Sequence, residues 1–284
     1  MISVTWALWN GLVFSAPHHQ QNSIATAHTT MNPLNYAWRF VGTSLLWFFF
    51  GAIGVLLSVF VFPLLFLFVR SPDRRQVIAR KIIAATFSAF MNGGQRVGVF
   101  SYRVTGLQHL AAHGGQLILA NHPTLIDVVL LLSVLKQVDC VVKDAVVRNP
   151  FMRASVTTAN YISNREPGEL LDVCVKRLQS RANLLLFPEG TRTREDHALE
   201  FKLGAAEVAI RAGAPILPVI IECKPSFLGK HDPWYRIPPA RPHFEVTILP
   251  PAPVAHYVPE GLNRREKRHR LNDALVSLFE AELS

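Results

Sequence analysis

Residues 121–127, NHPTLID, contain the pattern that decides the fold. The apolar run before them, 116–120, is typical of a buried strand, and the apolar run after them, 128–135, is typical of a helix. His122 is therefore predicted at a strand-to-helix corner, and Asp127 in the first turns of the helix. From these places the two side chains can converge. An imidazole held by a carboxylate is the base and orienting partner of acyl-transfer chemistry.

The same strand-to-helix alternation continues through the rest of the chain. Strands are predicted at 100–105, 116–120, 138–142, 161–162, 183–187, 214–222 and 244–249, and helices at 124–135, 150–156, 168–181, 203–212 and 262–283. Alternation of this kind favours the α/β class. We expect a single domain with a mixed, largely parallel sheet flanked by helices.

A second polar cluster, FPEGTR at 187–192, also follows a predicted strand. Because α/β sheets bind ligands at the carboxyl ends of their strands, Glu189 and Arg192 are candidates to hold a polar, anionic acceptor. An arginine matches a phosphate with two parallel hydrogen bonds. The alternative is a surface turn with a local ion pair, which contributes little.

Three further cations are candidates on weaker grounds. Arg165 follows a short predicted strand in the same way, and Lys202 and Lys143 lie near other strand ends or helix starts. A solvated face is the ordinary alternative for a lone basic residue, and it is favoured for Lys143.

Residues 41–69 contain no charged side chain. As a helix they would reach about 43 Å, more than the roughly 30 Å hydrocarbon core of a bilayer. The segment either spans with tilt or bends at Pro63 into a re-entrant arrangement. Basic residues follow it more often than they precede it: Arg70, Arg74, Arg75, Arg80 and Lys81 come after, and Arg39 before. If the segment spans, this asymmetry places the following residues in the cytoplasm.

The chain is thus divided into four predicted parts. Residues 1–38, which lack Lys, Arg, Asp and Glu, form a poorly ordered leader, within which Met31 is an alternative start. Residues 39–69 form the membrane segment. Residues 70–97 form a segment with a basic amphipathic helix, predicted at 73–91 and ended by the Gly93-Gly94 pair, which lies either in the headgroup region or on the catalytic domain. Residues 98–284 form the catalytic domain.

The amino-acid composition indicates which classes of molecule the protein binds. Half of the residues are hydrophobic, 17% are charged, and the net charge is +9, which favours an anionic partner such as lipid headgroups. Cys140, Cys174 and Cys223 are far apart, so we expect three core thiols and neither disulfides nor a zinc site. The basic run 264–270 has no aromatic stacking platform beside it, so no nucleic-acid partner is expected.

Five blocks resemble one family. Residues 121–127 resemble the NHx4D motif of the glycerolipid acyltransferases, and 187–192 match that family's FPEGTR motif. Residues 162–165 and 216–219 resemble its second and fourth blocks, and 201–204 resemble the short basic stretch after FPEGTR. The resemblance covers roughly residues 98–225 together with the hydrophobic segment that many members carry.

The resemblance implies transfer of a fatty acyl group from acyl-CoA or acyl carrier protein to the hydroxyl of lysophosphatidic acid, giving phosphatidic acid. His122 is then the general base and Asp127 its orienting partner. The implied acceptor-binding residues are Glu189, Gly190, Thr191, Arg192, Arg165 and Lys202. No metal and no cofactor beyond the thioester co-substrate is implied. The implied location is the inner (cytoplasmic) membrane, with the catalytic domain on the cytoplasmic side and anionic lipids as neighbours.

Two alternatives remain open. The motifs define the chemistry better than the acceptor, so another lyso-lipid, such as an ornithine lipid or a polyene lipid, is possible. A non-catalytic membrane-binding protein is the alternative from another class, and it predicts that His122→Ala leaves the biological role intact.

Overall fold

The computed structural model describes residues 33–110, 114–193 and 197–284. The helices are α1 Pro33–Leu56, α2 Phe62–Phe68, α3 Pro72–Val97, α4 Asp127–Leu135, α5 Asp144–Arg148, α6 Pro150–Thr158, α7 Pro167–Gln179, α8 Leu203–Ala212, α9 Val254–Tyr257 and α10 Arg264–Leu283. A π-helical segment, Leu57–Val61, joins α1 to α2. The strands are β1 Ser101–Thr105, β2 Leu117–Ala120, β3 Asp139–Val142, β4 Ile162–Ser163, β5 Leu184–Leu186, β6 Ile216–Lys224 and β7 His243–Ile248.

The strands form one sheet in the order β1-β7-β6-β2-β5-β3-β4. Among the described strands, every neighbouring pair is parallel except β6 and β7. The predicted α/β class with a mixed, largely parallel sheet is therefore confirmed. Strand β2 lies at the middle of this sheet, which places its carboxyl end, and the motif that follows, between the ends of β6 and β5.

Helices cover both faces of the sheet. Successive side chains of a strand point to opposite faces. Ile118 and Ala120 of β2 accordingly pack in a cluster with residues of α3 and α4. Leu117 and Leu119 pack in a second cluster with residues of α7, α8 and α10. All four residues of β2 are buried, which explains why its sequence is continuously apolar rather than alternating.

Helix α3 does not end at the Gly93-Gly94 pair, so that prediction was wrong. The helix continues to Val97 and ends at Gly98, which has a φ of 83°. Gly94 serves packing instead, because a Cβ there would lie 2.3 Å from Cζ of the Phe100 ring. Glycine is thus required for close approach of the helix to the chain entering β1, and not for stopping the helix.

A buried ion pair attaches α3 to the sheet. Arg80 pairs with Asp139 at the start of β3, and both side chains are buried. Arg80 also donates from Nε to the carbonyl oxygen of Ala159, at 3.0 Å. Arg80 is therefore a structural residue and is not one of the charges available to lipid headgroups. The structure shows this helix packed against the domain that contains the sheet, and its contact with lipid headgroups stays a prediction.

The apolar helix begins earlier than predicted. Within the described residues, Pro33–Phe68 is the one helical stretch long and apolar enough to cross a membrane. It includes Arg39, which is only 3% exposed because its guanidinium donates to the carbonyl oxygens of Pro239 and Ala240, both at 2.9 Å. The boundary predicted at 38/39 consequently falls inside α1. Residues 1–32 of the predicted leader lie outside the described residues.

The apolar stretch is attached to the rest of the protein at several points along its length. Arg39 contacts the chain before β7, Ser58 donates to the carbonyl oxygen of Phe151 in α6, and Phe62 packs against Ala79 and Ala159. The segment therefore follows the surface of the domain. Its outer face is apolar and exposed at Leu34, Trp38, Phe40, Val41, Leu45, Phe48, Phe49, Ile53, Val55, Leu56, Val59, Phe60, Leu64, Phe66, Leu67 and Phe68.

Candidate active site

The corner after β2 is held in place by Asn121. Its side-chain nitrogen donates to the carbonyl oxygen of Ile221 at 2.8 Å, and its side-chain oxygen accepts from the N–H of Ile221 at 2.7 Å. The amide thus takes over the pairing with β6 at the point where β2 ends. Asn121 is 2% exposed, so these bonds form away from water and anchor the turn that carries His122.

His122 and Asp127 converge as predicted. The distance from His122 Nδ1 to Asp127 Oδ2 is 2.8 Å. Asp127 is fully buried and also accepts from the backbone N–H and the hydroxyl of Thr124, at 2.7 and 2.5 Å. An ionised carboxylate only accepts hydrogen bonds, so a neutral imidazole paired with one carries its proton on Nδ1 and keeps a lone pair on Nε2. The side chain of His122 remains 17% exposed, which leaves the ring accessible.

Glu189 lies beside this dyad and holds the backbone of His122. Its Oε1 accepts from the His122 N–H at 2.9 Å and from the Thr193 hydroxyl at 2.8 Å. The Thr193 N–H in turn donates to the His122 carbonyl oxygen at 2.7 Å. Burial raises the pKa of Glu189, and the hydrogen bonds from Thr193 and His122 oppose that rise. The structure thus gives Glu189 a positioning contact; its predicted acceptor contact stays a prediction.

The FPEGTR turn also contacts the imidazole, and one basic side chain packs against this turn. The ring of Phe187 lies 4.4 Å from that of His122, centroid to centroid. Gly190 has a φ of 68°, and a Cβ there would lie 2.9 Å from Nζ of Lys202. The backbone N–H of Lys202 donates to the carbonyl oxygen of Pro188 at 2.9 Å. The predicted cation Lys202 is therefore packed over the turn, with its side chain exposed.

Arg192 is directed to a loop. Its Nη1 donates to the carbonyl oxygens of Leu228 and Gly229, at 3.1 and 2.7 Å, and its Nη2 donates to that of Lys230, at 3.0 Å. The Leu228 carbonyl also accepts from the N–H of Leu125, at 3.0 Å. Both terminal nitrogens of the guanidinium are thus engaged by backbone. The predicted contact of Arg192 with a phosphate stays a prediction, and the structure adds a role in holding the loop.

The remaining predicted residues lie at the same edge of the sheet. Thr191 lies within the turn, with its hydroxyl 3.4 Å from the Arg192 carbonyl oxygen. Lys143 and Arg165 follow β3 and β4, and Arg165 is exposed. Because neighbouring strands are about 4.8 Å apart, β4 is roughly 10 Å from β5. Arg165 therefore shares the edge with the dyad without bonding to it.

Sequence reasoning missed four residues of the site: Asn121, Thr124, Phe187 and Thr193. Thr124 had a signal, since a threonine three residues before an acidic residue is typical of a helix start. The contacts of Asn121 and Thr193 join segments distant in sequence, and no local pattern indicates them.

The comparisons with known proteins agree with this geometry. Residues 101–222 match the model of the family described as Acyltransferase, from the start of β1 into β6. The matched part of this chain is therefore similar to the acyltransferase family. Both motifs, NHPTLID and FPEGTR, lie inside the matched residues.

Part of the chain also resembles curated proteins. A putative 1-acyl-sn-glycerol-3-phosphate acyltransferase of Caenorhabditis elegans is 30% identical over 141 residues, 47% of this chain and 50% of that protein. The 1-acyl-sn-glycerol-3-phosphate acyltransferase of Escherichia coli is 31% identical over 117 residues, 39% of this chain and 48% of that protein. The chain thus spans about half the length of these relatives.

A solved structure shares the fold. The crystal structure of the 1-acyl-sn-glycerophosphate acyltransferase PlsC from Thermotoga maritima matches with a TM-score of 0.62 and 20% identity. The match covers 86% of this chain and 98% of that chain, so the shared fold extends beyond residues 101–222.

Proposed function

We propose that this protein transfers a fatty acyl group from a thioester, acyl-CoA or acyl-ACP, to the free hydroxyl of lysophosphatidic acid, giving phosphatidic acid. The observation that carries the proposal is the hydrogen bond between His122 Nδ1 and Asp127 Oδ2, which leaves Nε2 as a base beside an accessible edge. A general base of this kind contributes roughly 10²–10⁴-fold to the rate.

The proposed step balances without any further reactant. Nε2 of His122 takes the proton of the acceptor hydroxyl while that oxygen attacks the thioester carbonyl carbon. The C–S bond breaks, an ester forms, and the leaving thiolate takes the proton back from the imidazolium. Asp127 stabilises the imidazolium, and its three donors, Thr124 twice and His122 once, keep it aligned.

Lys202 is the best-placed cation for the acceptor's phosphate, because it is exposed and packed on the FPEGTR turn. Arg165 lies at the same edge of the sheet and supplies a second positive charge farther out. The names of the relatives from Caenorhabditis elegans and Escherichia coli, both 1-acyl-sn-glycerol-3-phosphate acyltransferases, support a phosphate-bearing acceptor.

The apolar outer face of Pro33–Phe68 supports membrane association. A helix of this length would reach roughly 50 Å. Its contacts with the domain through Arg39, Ser58 and Phe62 favour a helix lying along one leaflet over one that crosses and leaves the domain behind. We place the protein on the inner (cytoplasmic) membrane with the catalytic domain on the cytoplasmic side and anionic lipids around it.

The test uses purified protein in detergent with both thioester donors and a panel of lyso-lipids. Product identity assigns the donor and the acceptor together, and His122→Ala supplies the background. Acylation of lysophosphatidic acid well above that background supports the proposal. An acyl-transfer rate equal to that of His122→Ala for every acceptor rejects an enzymatic function and leaves the membrane-binding alternative.

A second acceptor class is favoured by the contacts of Arg192. Because its terminal nitrogens bond to Leu228, Gly229 and Lys230, one predicted phosphate ligand is engaged elsewhere. A lyso-lipid with less anionic charge, such as a lyso-ornithine lipid or a polyene lipid, then competes as acceptor. Preference for such a lipid in the same panel would select this candidate.

A further inference from the structure

A long connection joins β6 to β7 and passes beside the candidate active site. We call residues 225–242, which contain no helix or strand, the strap. Connections of more than about 12–15 residues without secondary structure are uncommon in compact domains and usually serve a function. This one is well packed, since Phe227, Leu228 and Ile237 are buried in the core cluster that also contains residues of β2 and α4.

Two arginines from distant parts of the chain hold the strap at its ends. Arg192 of the FPEGTR turn bonds to three carbonyl oxygens near the start, at residues 228–230. Arg39 of α1 bonds to the carbonyl oxygens of residues 239 and 240 near the end. The strap therefore runs from the candidate active site to the first turns of the apolar helix.

Between these two points the strap exposes an aromatic pair. Trp234 and Tyr235 are 47% and 54% exposed, and their rings meet edge to face at 5.8 Å. Asp232 orders the turn that carries them, since it accepts from Arg236 Nη1 at 2.8 Å and from the Gly229 N–H at 3.1 Å. The turn therefore holds two large aromatic rings at the surface in a defined position.

The composition of the strap fits a lipid interface. Tryptophan and tyrosine are enriched at the level of the headgroups, where one end of each ring is apolar and the other is wet. The strap also contains Lys230, Arg236 and Arg241 against a single acidic residue, Asp232. Arg236 pairs with Asp232, and Arg241 donates to two backbone carbonyl oxygens, so the net positive charge of the strap, rather than a set of free side chains, attracts anionic lipids.

The neighbouring surface favours the same partner. Trp38, next to Arg39, is 59% exposed and donates to the carbonyl oxygen of Val97, and the apolar face of α1 continues from it. The end of the strap contacts Arg39, the neighbour of Trp38 in α1, so the strap approaches that face. An anionic bilayer would contact both the basic strap and the apolar face of α1, whereas a soluble acidic protein would match only the charge.

We infer that the turn bearing Trp234 and Tyr235 enters the headgroup layer of an anionic bilayer and so places the membrane surface against the wall of the active site. This inference rests on the membrane association in the proposed function. Its consequence is that the lipid acceptor reaches His122 from the layer that the strap contacts, past a loop held by Arg192.

The test measures the depth of the strap in a bilayer. Tyr235→Cys, made in a Cys223→Ala background, is labelled with an environment-sensitive fluorophore; the other thiols, Cys140 and Cys174, are buried. Arg265→Cys in the same background is the matched control, since it is exposed on α10 against the opposite face of the sheet. Both proteins are added to phosphatidylcholine–phosphatidylglycerol vesicles, with and without headgroup-spin-labelled lipid.

A blue shift and spin-label quenching at position 235, with neither at position 265, are expected. Equal emission shifts and equal quenching at the two positions of vesicle-bound protein overturn the inference. Failure of the protein to float with the vesicles overturns it as well. The acyl-transfer assay is run on the same samples. If the protein is active but the label at position 235 is not quenched, the membrane contact of the strap is rejected and the proposed function is not. If the label is quenched but no acyl group is transferred, the proposed chemistry is rejected and the membrane contact is not.

A substitution supplies an independent readout. Trp234→Ser combined with Tyr235→Ser removes both rings, and the wild-type protein, which keeps them, is the control. The double variant is expected to bind the anionic vesicles several-fold more weakly than the wild-type protein, at unchanged thermal stability. Vesicle affinity of the double variant equal to or above that of the control contradicts a membrane contact.

Discussion

The carbonyl oxygen of Leu228 accepts two hydrogen bonds, one from Arg192 Nη1 at 3.1 Å and one from the N–H of Leu125 at 3.0 Å. Through this one oxygen the FPEGTR turn and the NHPTLID turn are joined to the strap. Leu228 has a φ of 60°, an unusual conformation for leucine that persists where the surroundings enforce it. Arg192 is therefore a positioning residue in this structure.

Arg192→Lys is expected to lower kcat, because one ammonium nitrogen cannot reach the three carbonyl oxygens that the planar guanidinium spans. The loosened strap should also expose the Leu125 N–H, which amide hydrogen exchange measures directly. The loss should be the same with lysophosphatidic acid and with a monoacylglycerol. A change confined to KM for the phosphate-bearing acceptor would instead identify Arg192 as a phosphate ligand.

Lys202→Met is expected to raise KM for a phosphate-bearing acceptor by roughly 10- to 100-fold, since a charge-assisted hydrogen bond contributes roughly 1.5–3 kcal/mol. Gly190→Ala should shift KM in the same direction, because the new Cβ would displace the lysine side chain from the turn. Steady-state kinetics with acceptors of different charge provide the check. A KM that is unaltered in the Lys202→Met enzyme would show that Lys202 does not bind the phosphate of the acceptor.

Asp127→Asn is expected to reduce kcat by roughly 10²–10⁴-fold while KM changes little. The amide would no longer select the proton on Nδ1, so Nε2 of His122 loses its role as base. Circular dichroism and thermal unfolding show whether the buried substitution is folded. Activity close to wild type would show that His122 does not depend on this carboxylate.

Glu189→Gln tests the charge of the buried carboxyl. Burial raises the pKa of Glu189, so its contribution to stability is present below the unfolded-state pKa and is lost as pH rises through the folded-state pKa. The Tm of Glu189→Gln relative to wild type should therefore increase from acidic to neutral pH. A relative Tm that falls over this interval would mean that the ionised form is the one the fold prefers.

Gly94→Ala is expected to destabilise the protein by about 1–3 kcal/mol, the usual cost of overpacking, because its Cβ would overlap the Phe100 ring. Gly93→Ala is the matched control: the nearest atom to its Cβ is Leu46 Cδ1 at 3.7 Å, an ordinary contact. That variant should be neutral or stabilised by up to about 1 kcal/mol from helix propensity. Chemical denaturation compares the two, and equal stabilities would argue against the proposed contact.

Several elements could be predicted because their signals are local. Helix α8 was predicted with the bounds it has, and the strands around NHPTLID and FPEGTR lie within two residues of their predicted positions. The stop at Gly93-Gly94 could not be judged locally, because a glycine that ends a helix and one that admits an aromatic ring look the same in sequence. The π-helical segment 57–61 and helix α5 had no signal strong enough to predict them.

By itself the sequence determined the strand-to-helix corner and the pairing of His122 with Asp127, because these depend on residues within a few positions of one another. Only the tertiary structure decided that Glu189 holds the backbone of His122, 67 residues away, and that Arg39 reaches a carbonyl 201 residues away. A local pattern encodes backbone conformation and the buried face. The partner of a buried donor depends on strand order and register, which arise only when the whole sheet assembles.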